Sequence, residues 1–339
     1  MAVTIYDIAK KADVSRSTVS RVLNDSGYVK EETREKIIKV MKELNYTPSA
    51  IARSLSTNKT NTIGVVIPEI SNPFFGKITK GISEVADKNN YNIILCDTNE
   101  SVEKELKALK VLKEQRIQGI IITPTVAENE FNSEYLNALE NLGIPIVLLD
   151  GHIKYSDFNG VFVDHIKGAC DATQALLDEG HRKIAIITGR MESRPAKERL
   201  NGYKKALAIN NIPVDEKYIF YGDYTHEKAY EITKQIMSME DRPTAIFVSS
   251  NIMILGCIRA FYEENIRIPE DMAIIGFDEV DTLNIIGMNI SFVSGPTTEL
   301  GRTSMKMLIQ NLKDKDHKDI RRINLLPKLV LRGSEKRID

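Results

Sequence analysis

The sequence predicts an α/β fold in which a small helical domain at the N-terminus precedes two parallel sheets, each covered by helices. Residues 4–24, TIYDIAKKADVSRSTVSRVLN, have the apolar spacing of a helix-turn-helix. From residue 62 onward, short apolar runs alternate with amphipathic stretches, which is typical of parallel strands buried on both faces. With 339 residues, the chain is long enough for two or three domains.

The first helix of the N-terminal segment is predicted from apolar residues that share one face. Asp13 and its small neighbours interrupt the pattern, and Ser15 then offers an N-cap to a second helix. The buried face of the first helix is predicted to hold Ile5, Ile8, Ala9 and Ala12.

The second helix has an apolar inner face, formed by Val19, Val22 and Leu23, and a polar outer face. Arg, Ser and Asn side chains on such a face can hydrogen-bond to base edges in a DNA major groove. An ordinary amphipathic hairpin is the alternative that this pattern leaves open. The outward residues are Arg16, Ser17, Ser20, Arg21 and Asn24.

A third helix is needed to bury a core, and the residues that follow predict one. Glu31 and Glu32 lie where a helix N-terminus favours acidic side chains. The apolar stripe after them comprises Ile37, Ile38, Met41 and Leu44.

The apolar runs after residue 62 fall into two series, which predict two Rossmann-like lobes. The first series is TIGVVIP, NIILCD, GIIITP and PIVLLD, and the second is GVFVD, KIAIITG, a strand near Phe220, TAIFVS and MAIIGFD. The strands ISFV and LLPKLVL must return to one lobe or the other. Helices are predicted from about Pro73 and Val102, and near Tyr135, Ala169, Tyr203, Tyr230, Ile258 and Met305.

Charge is distributed unevenly along a chain whose net charge is −1. Residues 1–60 hold 11 Lys and Arg against 7 Asp and Glu, whereas the remainder holds 35 against 40. A basic N-terminal segment on an acidic body favours a partner with phosphates at one end only.

The three cysteines, Cys96, Cys170 and Cys257, are far apart in the sequence and form no CxxC motif. This usage favours a reducing compartment over a disulfide framework or a zinc site. The N-terminus lacks a long apolar segment, and no run reaches the length of a membrane span. We therefore expect a soluble, cytoplasmic protein that does not bind a membrane.

Motifs of catalysis and cofactor binding are missing from the sequence. It contains no GxGxxG after a strand, no GxxxxGK[ST], no GxSxG and no HExxH. We expect no enzymatic activity, no cofactor and no metal site.

The motifs together resemble the LacI/GalR family of bacterial transcription regulators over essentially the whole chain. The headpiece carries TIYDIAKKADVS, STVSRVLN, ETREKI and ELNYTPSAIARSL, and the body carries TIGVVIP, NPFF, GHRKIAIITG, ERLNGYKKAL and IPEDMAIIGFD. The resemblance implies a helix-turn-helix DNA-binding domain followed by a two-lobed periplasmic-binding-protein-like domain.

The resemblance also implies domain boundaries. Residues 1–47 would form the DNA-binding headpiece, 48–60 a hinge helix and linker, and 61–339 the effector-binding and dimerisation domain. The chain would cross between the lobes near Val161, Ser291 and Leu326. The N-lobe would comprise about 61–160 and 293–325, and the C-lobe about 161–291 and 326–339.

Residues that match the family's DNA contacts lie in the first two helices and the hinge. Arginines in this set would read bases, with a solvated charge or a phosphate anchor as the alternative. Short hydroxyls suit phosphate oxygens or helix caps. The predicted headpiece contacts are Thr4, Tyr6, Ser15, Arg16, Ser17, Thr18, Ser20, Arg21 and Asn24.

The hinge segment Pro48–Leu55 is too short for a stable isolated helix, which needs about 12–15 residues. By resemblance it would order on DNA, with Leu55 inserted between base pairs in the minor groove. Ala52 is small enough for a close helix pair, and Ser56 would contact the backbone. A plain linker with one buried leucine is the alternative.

A cleft between the lobes is the predicted effector site, because the carboxyl ends of parallel strands converge there. The alternative role for Phe75 is a position in the apolar core. The alternative role for Asp150 and Asp278 is to cap helices. Asn251 replaces the family's more usual Asp. The predicted effector contacts are Phe74, Phe75, Thr123, Asp150, Arg194, Arg199, Tyr224, Ser250, Asn251 and Asp278.

The loop GRMESRPAKER places several cations near this cleft. They suit an anionic effector, such as a sugar acid or a sugar phosphate, or else form a solvated basic loop. The cations of the loop are Arg190, Arg194, Lys197 and Arg199.

These features predict a homodimeric repressor of a carbohydrate-utilisation operon. It would bind a pseudo-palindromic site in double-stranded DNA and respond to a sugar-like small molecule. The alternatives are a global catabolite regulator that answers to a protein co-regulator and, with less support, a solute-binding protein.

Overall fold

The computed structural model describes residues 3–24, 26–46, 60–126, 130–314 and 319–338. The predicted hinge contacts Ala52, Leu55 and Ser56 lie outside the described residues. The chain divides into two compact units, Met1–Asn61 and Thr62–Asp339.

The first unit contains three helices, α1 (Ile5–Ala12), α2 (Arg16–Leu23) and α3 (Glu31–Glu43). Thr4 and Asp7 form a capping box at the start of α1. Ser15 is the N-cap of α2, as predicted, and its side chain accepts a hydrogen bond from the Thr18 amide. The buried apolar residues in the described part of this unit are Ile8, Ala9, Ala12, Val19, Val22, Ile37 and Val40.

The predicted apolar stripe of α3 is wrong at one position. Ile38 is 40% exposed, whereas its neighbour Ile37 is buried and Met41 and Leu44 pack at the edge of the core. Adjacent residues are separated by about 100° around a helix, and the face of α3 that packs on α1 and α2 is centred on Ile37 and Val40 and leaves Ile38 at its solvent edge.

The second unit contains two six-stranded sheets. In the first sheet the strand order is β2-β1-β3-β4-β5-β11, and in the second it is β7-β6-β8-β9-β10-β12. The strands of the first sheet are β1 (Thr62–Ile67), β2 (Asn92–Asp97), β3 (Gly119–Ile122), β4 (Ile146–Leu149), β5 (Asn159–Val163) and β11 (Arg322–Leu325). The strands of the second are β6 (Ile184–Thr188), β7 (Ile219–Tyr221), β8 (Ala245–Val248), β9 (Ala273–Phe277), β10 (Ser291–Ser294) and β12 (Lys328–Val330).

Helices lie between most successive strands, as the alternating pattern predicts, except between β4 and β5 and between β11 and β12. Asn72 caps the helix that begins at Pro73, and Ser101 caps the one that begins at Val102. The helices are α4 (Pro73–Lys88), α5 (Val102–Glu114), α6 (Glu130–Asn141), α7 (His165–Asp178), α8 (Arg194–Ile209), α9 (His226–Met237), α10 (Asn251–Glu263), α11 (Asp281–Ile285) and α12 (Thr297–Lys313). Within the described ranges, the helices are too short or too polar to cross a membrane.

The positions at which the chain passes between the sheets differ slightly from the prediction. Because β5 pairs with β4 and β10 pairs with β9, the first two crossings follow Val163 and Ser294, a few residues after Val161 and Ser291. The third crossing separates β11 from β12, where Leu326 was expected.

The segment LLPKLVL forms two strands in different sheets and not the one strand predicted. Pro327, which lacks an amide hydrogen, lies between β11 and β12. β12 then runs antiparallel to β10, so the second sheet is parallel except at this edge.

Each lobe has its own apolar core on the two faces of its sheet. Strands β3, β4, β6, β8 and β9 are buried along their whole length, which explains their continuous apolar sequences. The carboxyl ends of both sets of parallel strands face a cleft between the lobes, and the polar residues that follow these strands line it.

Candidate functional site

The cleft between the lobes is open to solvent, and its free volume is about 1030 Å³ when the part continuous with solvent is included. All ten residues that the sequence predicts as effector contacts line it. They come from strand ends and helix starts in both lobes, so closure of the lobes would bring the two sets together around a small molecule.

A buried chain of charged groups joins the two lobes at the floor of the cleft. The Asp150 carboxylate lies 3.0 and 3.1 Å from His165 Nε2, and it also accepts a 3.0 Å hydrogen bond from the Val163 amide. On the other side of the ring, Arg199 Nε donates to His165 Nδ1 at 3.3 Å. Arg199 Nη2 lies 3.7 Å from the Asp278 carboxylate. The chain therefore connects one aspartate from each lobe.

Arg199 is 4% exposed and is held on several sides. Its guanidinium carbon lies 3.8 Å from the centroid of the Phe277 ring, and Nη1 donates to the Ser249 carbonyl. A planar guanidinium stacked on an aromatic ring is well oriented for two parallel hydrogen bonds. Arg199 is thus a rigid, directional donor at the cleft floor.

Burial shifts the protonation equilibria of several cleft residues, among them Asp278 and Tyr224. Burial raises the pKa of the Asp278 carboxyl, and the nearby Arg199 charge opposes that shift. Burial also raises the pKa of the Tyr224 phenol. The hydroxyl of Tyr224 therefore stays protonated near neutral pH and can act as a hydrogen-bond donor.

Equivalent positions in the two lobes supply cleft residues with left-handed backbone. Asp150 follows β4 with φ of 50°, and Asp278 follows the equivalent β9 with φ of 65°. Glu100 follows β2 with φ of 57°, and Tyr224 follows the equivalent β7 with φ of 60°. Non-glycine residues rarely adopt this conformation, and its retention at four cleft positions is typical of a functional site.

Three other predicted contacts already have hydrogen bonds within the protein. Thr123 donates its hydroxyl to the Leu149 carbonyl at 2.8 Å. Ser250 caps α10, and the Asn251 amide nitrogen donates to Asn72 Oδ1 across the cleft at 3.2 Å. Asn251 therefore serves as a link between the lobes in this structure.

The two phenylalanines after β1 have different environments. Phe75 is buried in the core of the first lobe, which is the alternative that its sequence position left open, and it also contributes to the cleft lining. Phe74 is half-buried and packs edge-on against Phe75, with ring centroids 5.1 Å apart. Phe74 therefore offers the more accessible aromatic surface.

The arginines of the loop after β6 are paired with carboxylates. Arg194 Nε lies 2.6 Å from Glu198, and its guanidinium stacks 4.7 Å from the Phe162 centroid. Arg190 Nη1 lies 2.6 Å from Glu100 of the opposite lobe. Lys197 is exposed and does not belong to the lining of the cleft.

Sequence reasoning missed Glu100 and Asn72, which line the cleft, and the buried His165, which joins Asp150 to Arg199 behind the lining. Glu100 follows an apolar run and could have been found by the rule that strand ends supply site residues. His165 gives no such signal, because its role depends on Asp150 and Arg199.

In the headpiece, a shallow concave surface brings together Thr4, Tyr6, Arg16, Ser17 and Ser20 of the predicted DNA contacts. Tyr46, which the sequence analysis did not select, lies in the same surface. Tyr6 is 60% exposed, and Arg16 and Ser17 are also exposed. Exposed hydroxyl and cationic groups on one face are suited to hydrogen bonds with DNA phosphates and base edges.

The remaining headpiece candidates lie outside this concave surface. Ser15 and Thr18 hydrogen-bond to each other at the start of α2, as expected of capping hydroxyls. The Asn24 amide donates to Ser20 Oγ at 3.3 Å. Arg21 is exposed, and its aliphatic part lies beside Gly27.

Two family models match the chain. Residues 4–49 match "Bacterial regulatory proteins, lacI family", and residues 60–330 match "Periplasmic binding proteins and sugar binding domain of LacI family". Together they cover most of the described headpiece and nearly all of the two-lobed unit.

Individual relatives match over almost the entire chain. Catabolite control protein A of Priestia megaterium is 35% identical, with 99% of this chain and 100% of the relative covered. The transcriptional repressor PurR of Photobacterium profundum is 34% identical, with 98% of each chain covered.

A solved structure also matches along the whole chain. The lac repressor dimer bound to operator and the anti-inducer ONPF superposes with a TM-score of 0.87 at 28% identity, covering 99% of this chain and 100% of that one. The chain belongs to the LacI family of bacterial regulatory proteins, the helix-turn-helix DNA-binding transcription regulators that carry a periplasmic-binding-protein-like effector domain.

Proposed function

We propose that this protein is a homodimeric repressor of a carbohydrate-utilisation operon, and that a neutral, polyhydroxylated ligand such as a sugar controls it through the cleft. The observation that carries the ligand class is the chain of Asp150, His165, Arg199 and Asp278 at the cleft floor. Carboxylates and a guanidinium in one partly apolar site bind vicinal hydroxyls by paired hydrogen bonds.

The charge balance of the cleft supports a neutral ligand over a sugar acid or a sugar phosphate. Each arginine in the described lining has a carboxylate partner: Glu100 for Arg190, Glu198 for Arg194 and Asp278 for Arg199. An anionic ligand would have to displace one of these carboxylates or remain near it, and both outcomes cost free energy.

Phe74 and Tyr224 support the same ligand class. The exposed part of the Phe74 ring and the ring of Tyr224 offer apolar surfaces from opposite lobes. Sugar rings present flat C–H faces that pack on such surfaces, while their hydroxyls reach the charged floor. A ligand that contacts both lobes would favour the closed arrangement and change the equilibrium between conformations.

The headpiece would bind DNA through the concave surface that contains Tyr6, Arg16 and Ser17. Arg21, on the same helix as Arg16, is exposed and could reach a base edge. Two copies related by a two-fold axis would bind a pseudo-palindromic operator, and Ala52, Leu55 and Ser56 would complete the contact in the minor groove. Because its partner would be DNA, we expect the protein to be cytoplasmic and to act by binding and not by catalysis.

The first test is a thermal-shift screen of the full chain with neutral sugars, sugar acids, sugar phosphates and purine bases. A saturating ligand at 100 times its Kd should stabilise the fold by about 2.7 kcal/mol. Each hit is then tested for its effect on operator affinity by fluorescence anisotropy. Stabilisation by a neutral sugar, with a change in operator affinity, would support the proposal. Stabilisation by purine bases alone would overturn the ligand class.

A second candidate is control of catabolite genes through a partner protein. The full-length similarity to catabolite control protein A favours it. Operator affinity measured with a cell extract, before and after small molecules are removed by dialysis, separates the candidates. An effect that survives dialysis and is destroyed by protease indicates a protein co-regulator, whereas an effect lost on dialysis indicates a metabolite.

A further inference from the structure

The pair Arg190–Glu100 connects the two lobes at the mouth of the cleft. Arg190 follows β6 in the second lobe, and Glu100 follows β2 in the first. Arg190 Nη1 lies 2.6 Å from Glu100 Oε2, and each side chain is 30% exposed. Both residues line the ligand cleft, so the pair contributes to the cleft wall and not only to the outer surface.

The backbone holds Glu100 in a position that is unfavourable without other contacts. Asn99 and Glu100 both have left-handed backbone, with φ of 45° and 57°. This conformation is unfavourable for a residue with a long side chain such as Glu100. The Glu100 amide donates to the Pro68 carbonyl at 3.0 Å, and the Asn99 amide donates to Asp97 Oδ1 at 3.2 Å. These bonds direct the Glu100 side chain toward the cleft.

The equivalent position in the other lobe is Tyr224, which also lies in the cleft. Asp223 and Tyr224 repeat the left-handed pair, with φ of 51° and 60°. The fold therefore uses this position in both lobes to place a side chain against the ligand. In the first lobe, that side chain is a carboxylate.

Among the described arginines that line the cleft, Arg190 alone takes its carboxylate partner from the opposite lobe. Arg194 and Glu198 are on α8, and Arg199 and Asp278 both belong to the second lobe. Glu69, two residues beyond the end of β1, also lines the cleft, and its charge acts on Glu100. An anionic group that reached Arg190 would therefore meet two carboxylates at short range.

We propose that Glu100 is a specificity-determining residue: it occupies Arg190 and thereby excludes phosphorylated and carboxylated ligands from the cleft. This inference rests on the proposed function, in which the cleft binds a small molecule. Without the Glu100 charge, Arg190 would present an unpaired guanidinium, which is a strong site for phosphate.

The structure provides a matched control for the loss of a cross-lobe ion pair. Lys77 on α4 lies 2.9 and 3.1 Å from the Asp281 carboxylate on α11, so this pair also joins the lobes. Neither residue lines the ligand cleft. Asp281→Asn therefore removes a cross-lobe attraction and leaves the charges of the cleft unchanged.

The test compares the wild type, Glu100→Gln, the double variant Glu100→Gln/Arg190→Gln and Asp281→Asn, each as the full chain. Isothermal titration calorimetry measures binding of inorganic phosphate, glucose 6-phosphate and glucose. We expect Glu100→Gln to bind phosphate or glucose 6-phosphate at least about tenfold more tightly than the wild type. The double variant should lose that gain, and Asp281→Asn should not show it.

Three results would overturn the proposal. In the first, Glu100→Gln gains no affinity for either anion. In the second, the gain persists in the double variant, so that Arg190 is not the phosphate site. In the third, Asp281→Asn gains as much affinity for the anions, which would attribute the effect to the loss of an ion pair between the lobes and not to the charge of Glu100. Failure of the proposed function is recognised separately, by a wild type that binds no neutral sugar in the thermal-shift screen.

Discussion

The ring of Tyr224 lies directly against the α-carbon of Gly189. A β-carbon at position 189 would be 2.0 Å from Tyr224 Cζ and 2.3 Å from Cε1. Gly189 follows β6, and Tyr224 follows the neighbouring β7, so the contact joins the ends of two adjacent strands beside the cleft. Only glycine leaves space for the ring at this position.

Gly189→Ala should therefore displace Tyr224 and weaken ligand binding. Overpacking of this kind typically costs about 1–3 kcal/mol. Calorimetry with the ligand identified in the screen measures the affinity, and urea unfolding measures the stability. Gly76→Ala is the control, because a β-carbon there would have no heavy atom within 4 Å. Unchanged affinity in Gly189→Ala would show that Tyr224 is not a ligand contact.

Arg199→Met should abolish the response to ligand while the headpiece remains able to bind DNA. The variant removes the hydrogen bond to His165 and leaves the buried Asp278 carboxylate without its nearby cation. Removing one partner of a buried ion pair costs about 3–5 kcal/mol. Operator affinity with and without ligand gives the response, and Arg259→Met, at an exposed ion pair outside the cleft lining, is the comparison. A full response in Arg199→Met would contradict the assignment.

The free energy of unfolding should decrease as the pH is lowered, in part because of His181. The ring is 2% exposed and lies within hydrogen-bond distance of Thr244 Oγ1 and the Glu335 carbonyl. Burial lowers the pKa of this histidine below its ordinary value. Its contribution is therefore present above the ordinary histidine pKa of about 6.5 and is lost as the pH falls through the lower pKa of the folded state.

Urea unfolding between pH 7.5 and pH 5 should accordingly show a smaller loss of stability for His181→Gln than for the wild type. His226→Gln, in which a more exposed histidine is replaced, should follow the wild type. Equal slopes for all three proteins would exclude His181 as a source of the pH dependence.

Arg21→Ala should weaken binding to the specific operator by about 1–3 kcal/mol and weaken binding to random DNA much less. Arg21 is exposed on α2, and the loss of a bidentate base contact is specific to sequence. Anisotropy titrations at one fixed salt concentration measure both affinities, with Lys39→Ala on α3 as a charge-matched control. An equal loss on both DNAs would indicate a phosphate contact.

Local features of the fold were predictable because they depend on residues close in sequence. Ser15 caps α2 through an amide three residues away, and Pro73 begins α4 at a first-turn position. Continuous apolar runs likewise identified the buried strands. The errors at Ile38 and around Pro327 concern which partner an apolar segment packs against, and spacing alone does not contain that information.

The sequence by itself determined the family, the order of the helices and strands, and ten of the residues that line the cleft. These follow from motifs and from the rule that strand ends supply site residues. Only the tertiary structure decided which groups pair there. Arg190 meets Glu100, His165 bridges Asp150 and Arg199, and Tyr224 covers Gly189. Each of these relationships joins separate strands or lobes, so its distance depends on how whole sheets pack, and short-range sequence patterns do not encode that packing.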